Sequence, residues 1–429
     1  QGFRSDLTVL VEAGRIAALE PGLSGQRLPG RALLPGAVNA HSHTFQRAIR
    51  GRTEYRQPGR ESEDFWTWRE RMYQAANRLS PEEVESVARL CFIEMLLAGI
   101  TCVGEFHYLQ HQPDGTPYAE PDELALRVAA AAERAGIDLV LLRVGYARAG
   151  YGCPPNPLQA RFIDPNPEFA LGAVERLRQR GLKVGLAPHS LRAVPLDWLR
   201  VYGDYARQHG LPLHMHVSEQ PREVEEVVQE HGHRPVLLLQ REGWLDERFC
   251  AVHAIHLEDV EVAALADCFV CSCPTTERNL GDGTVAADRL LAAGTRLCLG
   301  TDSQCQIDLY EDARQLEYHL RLRDRQRAVL GDPAARLWSA LNRNGAASLG
   351  VSAGSIQPGQ AADLVAVRLD DPSLAGAPVQ DLLPTLLFGL SRSAIDRVWV
   401  SGRPVVTDGR HPGQEDAVRD FQRVMEGLR

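Results

Sequence analysis

The 429-residue chain has no run of about 18 apolar residues, so no membrane-spanning helix is expected. It also lacks an excess of positive charge. Its 47 Lys and Arg are outnumbered by 56 Asp and Glu, a formal net charge of −9. That balance argues against nucleic acid as the main partner. It also means that an anionic ligand would need locally placed Arg or Lys. Nine cysteines, an odd number without framework spacing, point to free thiols in a reducing cytoplasm rather than to a disulfide scaffold. Cys271-Ser272-Cys273 reads as two small buried residues of one strand in preference to a metal pair. No secretory leader pattern, tandem repeat or low-complexity linker is visible. The chain starts at Gln1 without Met, so residues before it are expected.

What is present begins with Asn39-Ala40-His41-Ser42-His43, after the apolar run Ala32–Val38. Strand side chains alternate faces, so His41 and His43 aim two imidazoles the same way. Two convergent imidazoles at a strand end begin a divalent metal site. Seven further strand candidates follow: 101–107, 139–144, 184–188, 212–216, 250–253, 268–272 and 297–302. Helical patterns fill most gaps. Pro81–Ala98 is the clearest, with Ser80 as N-cap, Glu83 completing a capping box and Gly99 ending it. Glu123–Ala135 before Gly136 and Arg222–Glu230 are two more.

Eight strands alternating with helices predict an α/β fold, a (β/α)8 TIM-like barrel over residues 35–352. A doubly wound sheet is the alternative, but no Gly-x-Gly-x-x-Gly follows the first strand. The flanks differ. Leu7–Val11, Arg15–Leu19, Gly354–Gln357, Ala362–Val367 and Arg397–Val400 read as short strands. They predict a small β-sandwich domain built from both termini, 1–34 and 353–429. Gly150–Pro167 reads as a long loop over the barrel mouth.

Barrels of this kind place reactive residues at strand C-terminal ends. His216 closes the fifth strand and Glu219 follows three residues later. His214 is the rival on the same face, but His216 lies nearer the strand end. Asp302 ends the eighth strand, in Gly300-Thr301-Asp302-Ser303, and would be the fourth protein ligand beside His41, His43 and His216. His253 ends the sixth and could hold a water or balance charge in the transition state.

These residues resemble the amidohydrolase superfamily, in its mononuclear, cytosine-deaminase-like branch. The motifs are Leu34–His43, His216-Val217-Ser218-Glu219, His253, Gly300–Ser303 and the C-terminal Gly354–Val365. The resemblance implies metal-activated hydrolysis with Glu219, His253 and Asp302 as catalytic groups. Binuclear members carry a Lys at the fourth strand end. Here that end is Ala187-Pro188-His189-Ser190, which implies one divalent ion, zinc by preference. Within the branch, Phe65–Arg69, Gly104–Tyr108, Pro188–Arg192 and Cys273–Gly283 resemble the formiminoglutamate deiminases. Thr275-Thr276-Glu277 departs from the Cys-Pro-x-Ser-Asn pattern of purine deaminases. This finer resemblance implies a small anionic amidine substrate, a homodimer and a cytoplasmic setting. Arg192 is the expected carboxylate clamp, with Arg69, Tyr108, Gln46 and His189 beside it. Trp66 and Trp68, in an aromatic-rich loop after the first strand, could wall the site. The alternatives are a purine or nucleoside deaminase, or a barrel retained only for binding.

Overall fold

The structure is a computed structural model, and it describes residues 2–22, 24–59 and 61–428. The chain opens with a ribbon, β1 (Leu7–Glu12) and β2 (Arg15–Pro21), joined by a turn at Ala13-Gly14. β3 (Arg31–Pro35) follows, and Gly36 then leads into the barrel. The eight barrel strands are β4 (Ala37–Ser42), β5 (Ile100–His107), β6 (Asp138–Gly145), β7 (Lys183–Pro188), β8 (Leu213–Val217), β9 (Phe249–His253), β10 (Phe269–Ser272) and β11 (Arg296–Leu299). They pair in parallel in sequence order. Helices cover the outside, so the strands are buried on both faces, and every residue of β5 is buried. The ring closes through one bridge, Ser42 to Asp302.

Three helices show how local chemistry sets these elements. In α1 (Phe65–Arg78) the Asp64 carboxylate accepts from the backbone N–H groups of Trp66 and Thr67, both at 3.0 Å. In α2 (Pro81–Leu97) Ser80 accepts from Glu83 N at 3.2 Å, and Glu83 accepts from Ser80 N at 2.8 Å. α3 (Glu123–Ala135) ends at Gly136, whose φ of 79° takes the left-handed cap.

The segments outside the barrel form the expected β-sandwich. β3 pairs with β12 (Leu364–Arg368), followed by β13 (Ile395–Val400) and β14 (Arg403–Val406), in an antiparallel sheet ordered β14-β13-β12-β3. The β1–β2 ribbon lies against it around Ile16, Ala362 and Leu364. The C-terminal helix Gln414–Gly427 packs on α2 of the barrel. No helix among the described residues is long and apolar enough to cross a membrane.

Three local expectations are corrected. Gly354–Gln357 is not a strand: Gly354 adopts a φ of 78° tight against the Asn342 backbone, which extended pairing does not allow. The eighth barrel strand stops at Leu299, because the Asn39 side chain draws Thr301 aside, accepting from Thr301 N at 3.1 Å and donating to Thr301 Oγ1 at 2.8 Å. The aromatic stretch Phe65–Arg69 is the first turn of α1 rather than a loop, because Asp64 caps it.

Candidate active site

Four side chains meet at the C-terminal end of the barrel. His41 Nε2 lies 3.1 Å from His43 Nε2, 3.2 Å from His216 Nε2 and 3.2 Å from Asp302 Oδ1. His43 Nε2 lies 3.3 Å from the same oxygen. Ligands on a tetrahedral zinc ion, with bonds of about 2.0–2.1 Å, stand about 3.3 Å apart. His43 Nδ1 donates to Phe106 O at 2.9 Å and His216 Nδ1 to His189 O at 3.0 Å, which leaves both Nε2 atoms as lone pairs aimed at one point. Burial keeps His41, His43 and His216 neutral, and with His41 alongside it draws His43 down to about 3. Asp302 is held below the usual carboxylate range: burial pushes it up, but the His41 hydrogen bond and the surrounding imidazoles prevail. Three neutral imidazoles and one carboxylate are a fitting donor set for a divalent cation.

The backbone fastens this group across the barrel seam. His43 N donates to Asp302 O at 3.0 Å and Asp302 N donates to His41 O at 3.1 Å. Asp302 itself sits at a φ of 46° and His253 at 70°, conformations disfavoured for non-glycine residues and held here by their surroundings. Gly300 permits the close approach: a Cβ there would lie 2.8 Å from both Cβ and O of His41. Beneath the ligands the buried Glu105 carboxylate accepts from Ser42 Oγ at 2.6 Å and from Thr44 N and Oγ1, both at 2.7 Å. Burial pushes Glu105 up to about 7. Ser42 and Thr44 alternate with the two histidines, so Glu105 grips the opposite face of the ligand segment.

Proton-handling groups lie beside the ligand set. Glu219 Oε1 is 3.6 Å from His253 Nε2, and Asp302 Oδ2 is 3.8 Å from it. Burial pushes Glu219 up to about 7, with the negative charges of Asp302 and Glu223 adding to it and His253 opposing. Burial disfavours a charged His253, but Glu219 and Glu277 outweigh it and raise its pKa. His253 Nδ1 faces Glu277 Oε1 at 3.3 Å, and Glu277 is itself fixed by Cys273 N at 2.8 Å and Ser272 Oγ at 2.9 Å. The imidazole therefore turns Nε2 toward Glu219.

The cleft above is lined by Gln46, Arg69, Tyr73, Tyr108, Tyr146 and Arg192, with His189, Glu219, His253 and Asp302 toward its floor. Gln46 Nε2 donates to Tyr108 OH at 2.8 Å. Arg192, only 6% exposed, donates weakly to Ala149 O at 3.4 Å and lies beside Tyr146 and the Glu223 carboxylate. Arg69 Nε and Nη1 are buried without a hydrogen-bond partner. Burial, with Arg192 close by, lowers the pKa of both Arg69 and His189. This end of the cleft is cationic and under-bonded.

The residues expected to hold metal, substrate or protons thus lie in or directly beneath one cleft. His214 stands apart, bonded to Ser348 O at 2.8 Å, and His256 faces Asp282 O at 3.0 Å. Lys183 pairs with Asp138 at 2.6 Å at the beginning of its strand, and His189 occupies the strand's end. Glu105, Glu223, Asp282 and the orienting role of Glu277 escaped the sequence reading. Glu105 lies inside Gly104–Tyr108, and Glu277 and Asp282 inside Cys273–Gly283, without an assigned role, whereas Glu223 carried no signal. Asp282 is pushed up to about 9, by burial first and by Glu219 next.

The model of the amidohydrolase family matches residues 32–405. The chain belongs to the amidohydrolase family. This amidohydrolase is 43% identical to the formimidoylglutamate deiminase of Pseudomonas aeruginosa, over 97% of the chain and 94% of that protein. It is 29% identical to a 5-methylthioadenosine/S-adenosylhomocysteine deaminase of Natronomonas pharaonis, over 94% and 89%. Among solved structures it resembles an amidohydrolase from Brucella melitensis, with a TM-score of 0.90, 38% identity and coverage of 99% and 96%. It also resembles a zinc-bound adenosine deaminase from Xanthomonas campestris, with a TM-score of 0.82, 25% identity and coverage of 98% and 93%.

Proposed function

We propose that this amidohydrolase hydrolyses N-formimino-L-glutamate to N-formyl-L-glutamate and ammonia, with one divalent ion, zinc by preference, held by His41, His43, His216 and Asp302. The observation that carries the reading is the pairing of a His3Asp ligand set with two buried guanidinium groups, the unpartnered Arg69 and its neighbour Arg192, in one cleft. The 43% identity to a formimidoylglutamate deiminase supports it. A neutral purine ring would leave Arg69 without an anion and Arg192 with the Glu223 carboxylate alone, whereas a dicarboxylate satisfies both.

A divalent ion in this ligand set activates water for attack near neutral pH. The chain's own groups then do the following. Arg192 and Arg69 hold the substrate carboxylates, with Tyr108, Gln46 and His189 completing the contacts. Asp302 accepts a proton from the attacking water. The new C–O bond forms at the formimino carbon, and the C=N π pair moves onto nitrogen. His253, turned by Glu277, faces the developing oxygen charge. Glu219, whose pKa burial pushes up to about 7, gives a proton to that nitrogen. The C–N bond breaks as Glu219 takes the remaining hydroxyl proton and Asp302 returns its proton to the nitrogen, so the carbonyl forms and ammonia leaves.

The test is ammonia release from N-formimino-L-glutamate, from adenosine analogues and from guanine, each with and without a chelator. Chelator-sensitive release from the first substrate alone is expected. Turnover of the purines without turnover of formiminoglutamate would reverse the substrate assignment.

A further inference from the structure

A second group of donor atoms meets on the Nδ1 side of the His253 ring. His253 Nδ1, Cys273 Sγ and a Glu277 carboxylate oxygen lie within 4.8 Å of one another, and all three residues are buried. None of them belongs to the His41, His43, His216 and Asp302 set. The contact between His253 and Glu277 is long for a hydrogen bond. An imidazole N–H on a carboxylate closes to about 2.7–3.0 Å, whereas Nδ1 stands 3.3 Å from Oε1. That length matches the edge between two ligands of one tetrahedral ion, about 3.3 Å for bonds of about 2.0–2.1 Å. The carboxylate is held ready: Oε1 accepts from Cys273 N at 2.8 Å and Oε2 from Ser272 Oγ at 2.9 Å. The ring is held by a backbone that is left-handed at both His253 and Ala254, with φ of 70° and 50°. The thiol lies close under the barrel seam, since a Cβ on Gly300 would come within 3.0 Å of its sulfur. One imidazole, one thiolate and one carboxylate suit zinc and similar thiophilic cations. They do not suit magnesium or calcium, which take oxygen ligands.

We propose that His253, Cys273 and Glu277 form a second metal site, which takes a thiophilic divalent cation. Binding replaces the proton between His253 Nδ1 and Glu277, and the proton of the Cys273 thiol, with bonds from the ion to nitrogen, oxygen and sulfur. About two protons therefore leave for each ion taken up. Nε2 keeps its proton and its direction toward Glu219. It also stays on the side of Asp302, whose Oδ2 is 3.8 Å away, so the two ligand sets share no atom.

Cadmium titration of the full chain tests this, because a cadmium–thiolate bond absorbs in the ultraviolet and the His3Asp set holds no thiol. Wild type is expected to take up one ion more than the His3Asp set holds, by atomic absorption, with the thiolate band growing alongside it. Magnesium should produce neither. Cys273→Ser keeps the size and the backbone donor to Glu277. It should lose the band and weaken uptake of the second ion by more than the about 10–100-fold typical of changes around a ligand. Glu277→Gln keeps the thiol and should need about tenfold more cadmium for the same band. Cys153→Ala removes an exposed thiol and should leave the band intact. His43→Ala breaks the first set and should also leave it intact, which separates this site from the catalytic ion. The proposal is overturned by a wild type without the band after prolonged equilibration, or by a band that survives Cys273→Ser. An unchanged titration in Glu277→Gln, or loss of the band in Cys153→Ala or His43→Ala, overturns it as well.

Discussion

Under the proposed function Glu219 and Arg192 divide the residue-scale chemistry between proton transfer and grip, so their variants should fail differently. Glu219→Gln keeps the shape and the ligand set but has no proton to pass. Its kcat should fall by about 10²–10⁴-fold while bound metal, measured by atomic absorption, stays at the wild-type ratio. Loss of metal together with activity would make Glu219 a structural residue. Arg192→Ala removes a buried guanidinium from the cleft, and KM for formiminoglutamate should rise by about 30-fold or more. An unchanged KM would remove Arg192 from the substrate end. The residues legible in the sequence share one property: strand alternation or barrel polarity places them without knowledge of any partner. His41 and His43 follow from spacing alone. Glu105 does not, because its partners lie 61 and 63 residues away, and only the fold brings them together. The same holds for Glu277, whose grip on His253 bridges two strand ends.

At the scale of elements, caps and glycines decide what the chain can do. Ser80→Ala removes one side of the α2 capping box and should cost about 1 kcal/mol, seen as a lower thermal midpoint with unchanged kcat and KM. Gly300→Ala should behave in the opposite manner. Its methyl would press on Cβ and O of His41, both 2.8 Å away, so metal affinity should drop more than folding stability. A variant that binds metal normally would show that the ligand segment yields. α2 and α3 were readable because their stop and start signals are strong and local. α1 was not, since Trp and Phe at close spacing suit a wall as well as a helix, and the decisive signal is the single Asp64 cap. The eighth strand was overextended for a related reason. Its apolar run continues past Leu299, but a side chain from the far end of the sequence, Asn39, turns Thr301 out of the ladder.

For the whole molecule, Asp363 links the small sheet to pH. It accepts from Ser401 N at 2.7 Å where β13 turns into β14. Burial, with Asp138 adding, pushes it up to about 6. In an unfolded chain the group titrates near 3.9. Between about pH 4 and 6 the folded state therefore binds more protons than the unfolded one, and stability falls as pH rises through that window. Asp363→Asn keeps the acceptor and removes the titration. Its urea midpoint should vary less between pH 4 and 6 than the wild type's and should be higher at pH 7. Equal slopes in the two proteins would place the pH dependence elsewhere. The barrel architecture itself was readable from strand count and order. The pairing of the two termini was readable only as a tendency, because register between segments more than 300 residues apart leaves no local mark.

The single bridge between Ser42 and Asp302 has a consequence for the protein's lifetime. Six of the eight strand junctions are laced along a ladder, β7 meets β8 only where Leu186 pairs with Leu213 and Ser190 with His216, and the junction of β4 with the end of β11 is a clasp at one end. His41 and His43 sit on one side of that clasp and Asp302 on the other, so an ion bound among them fastens the hoop. Stripping the ion should speed amide exchange first in residues 37–43 and 297–304, ahead of the rest of the barrel, and should shorten the half-life under protease. The enzyme would then carry its own timer: a molecule that has lost its catalyst is also the one that opens first and is cleared first.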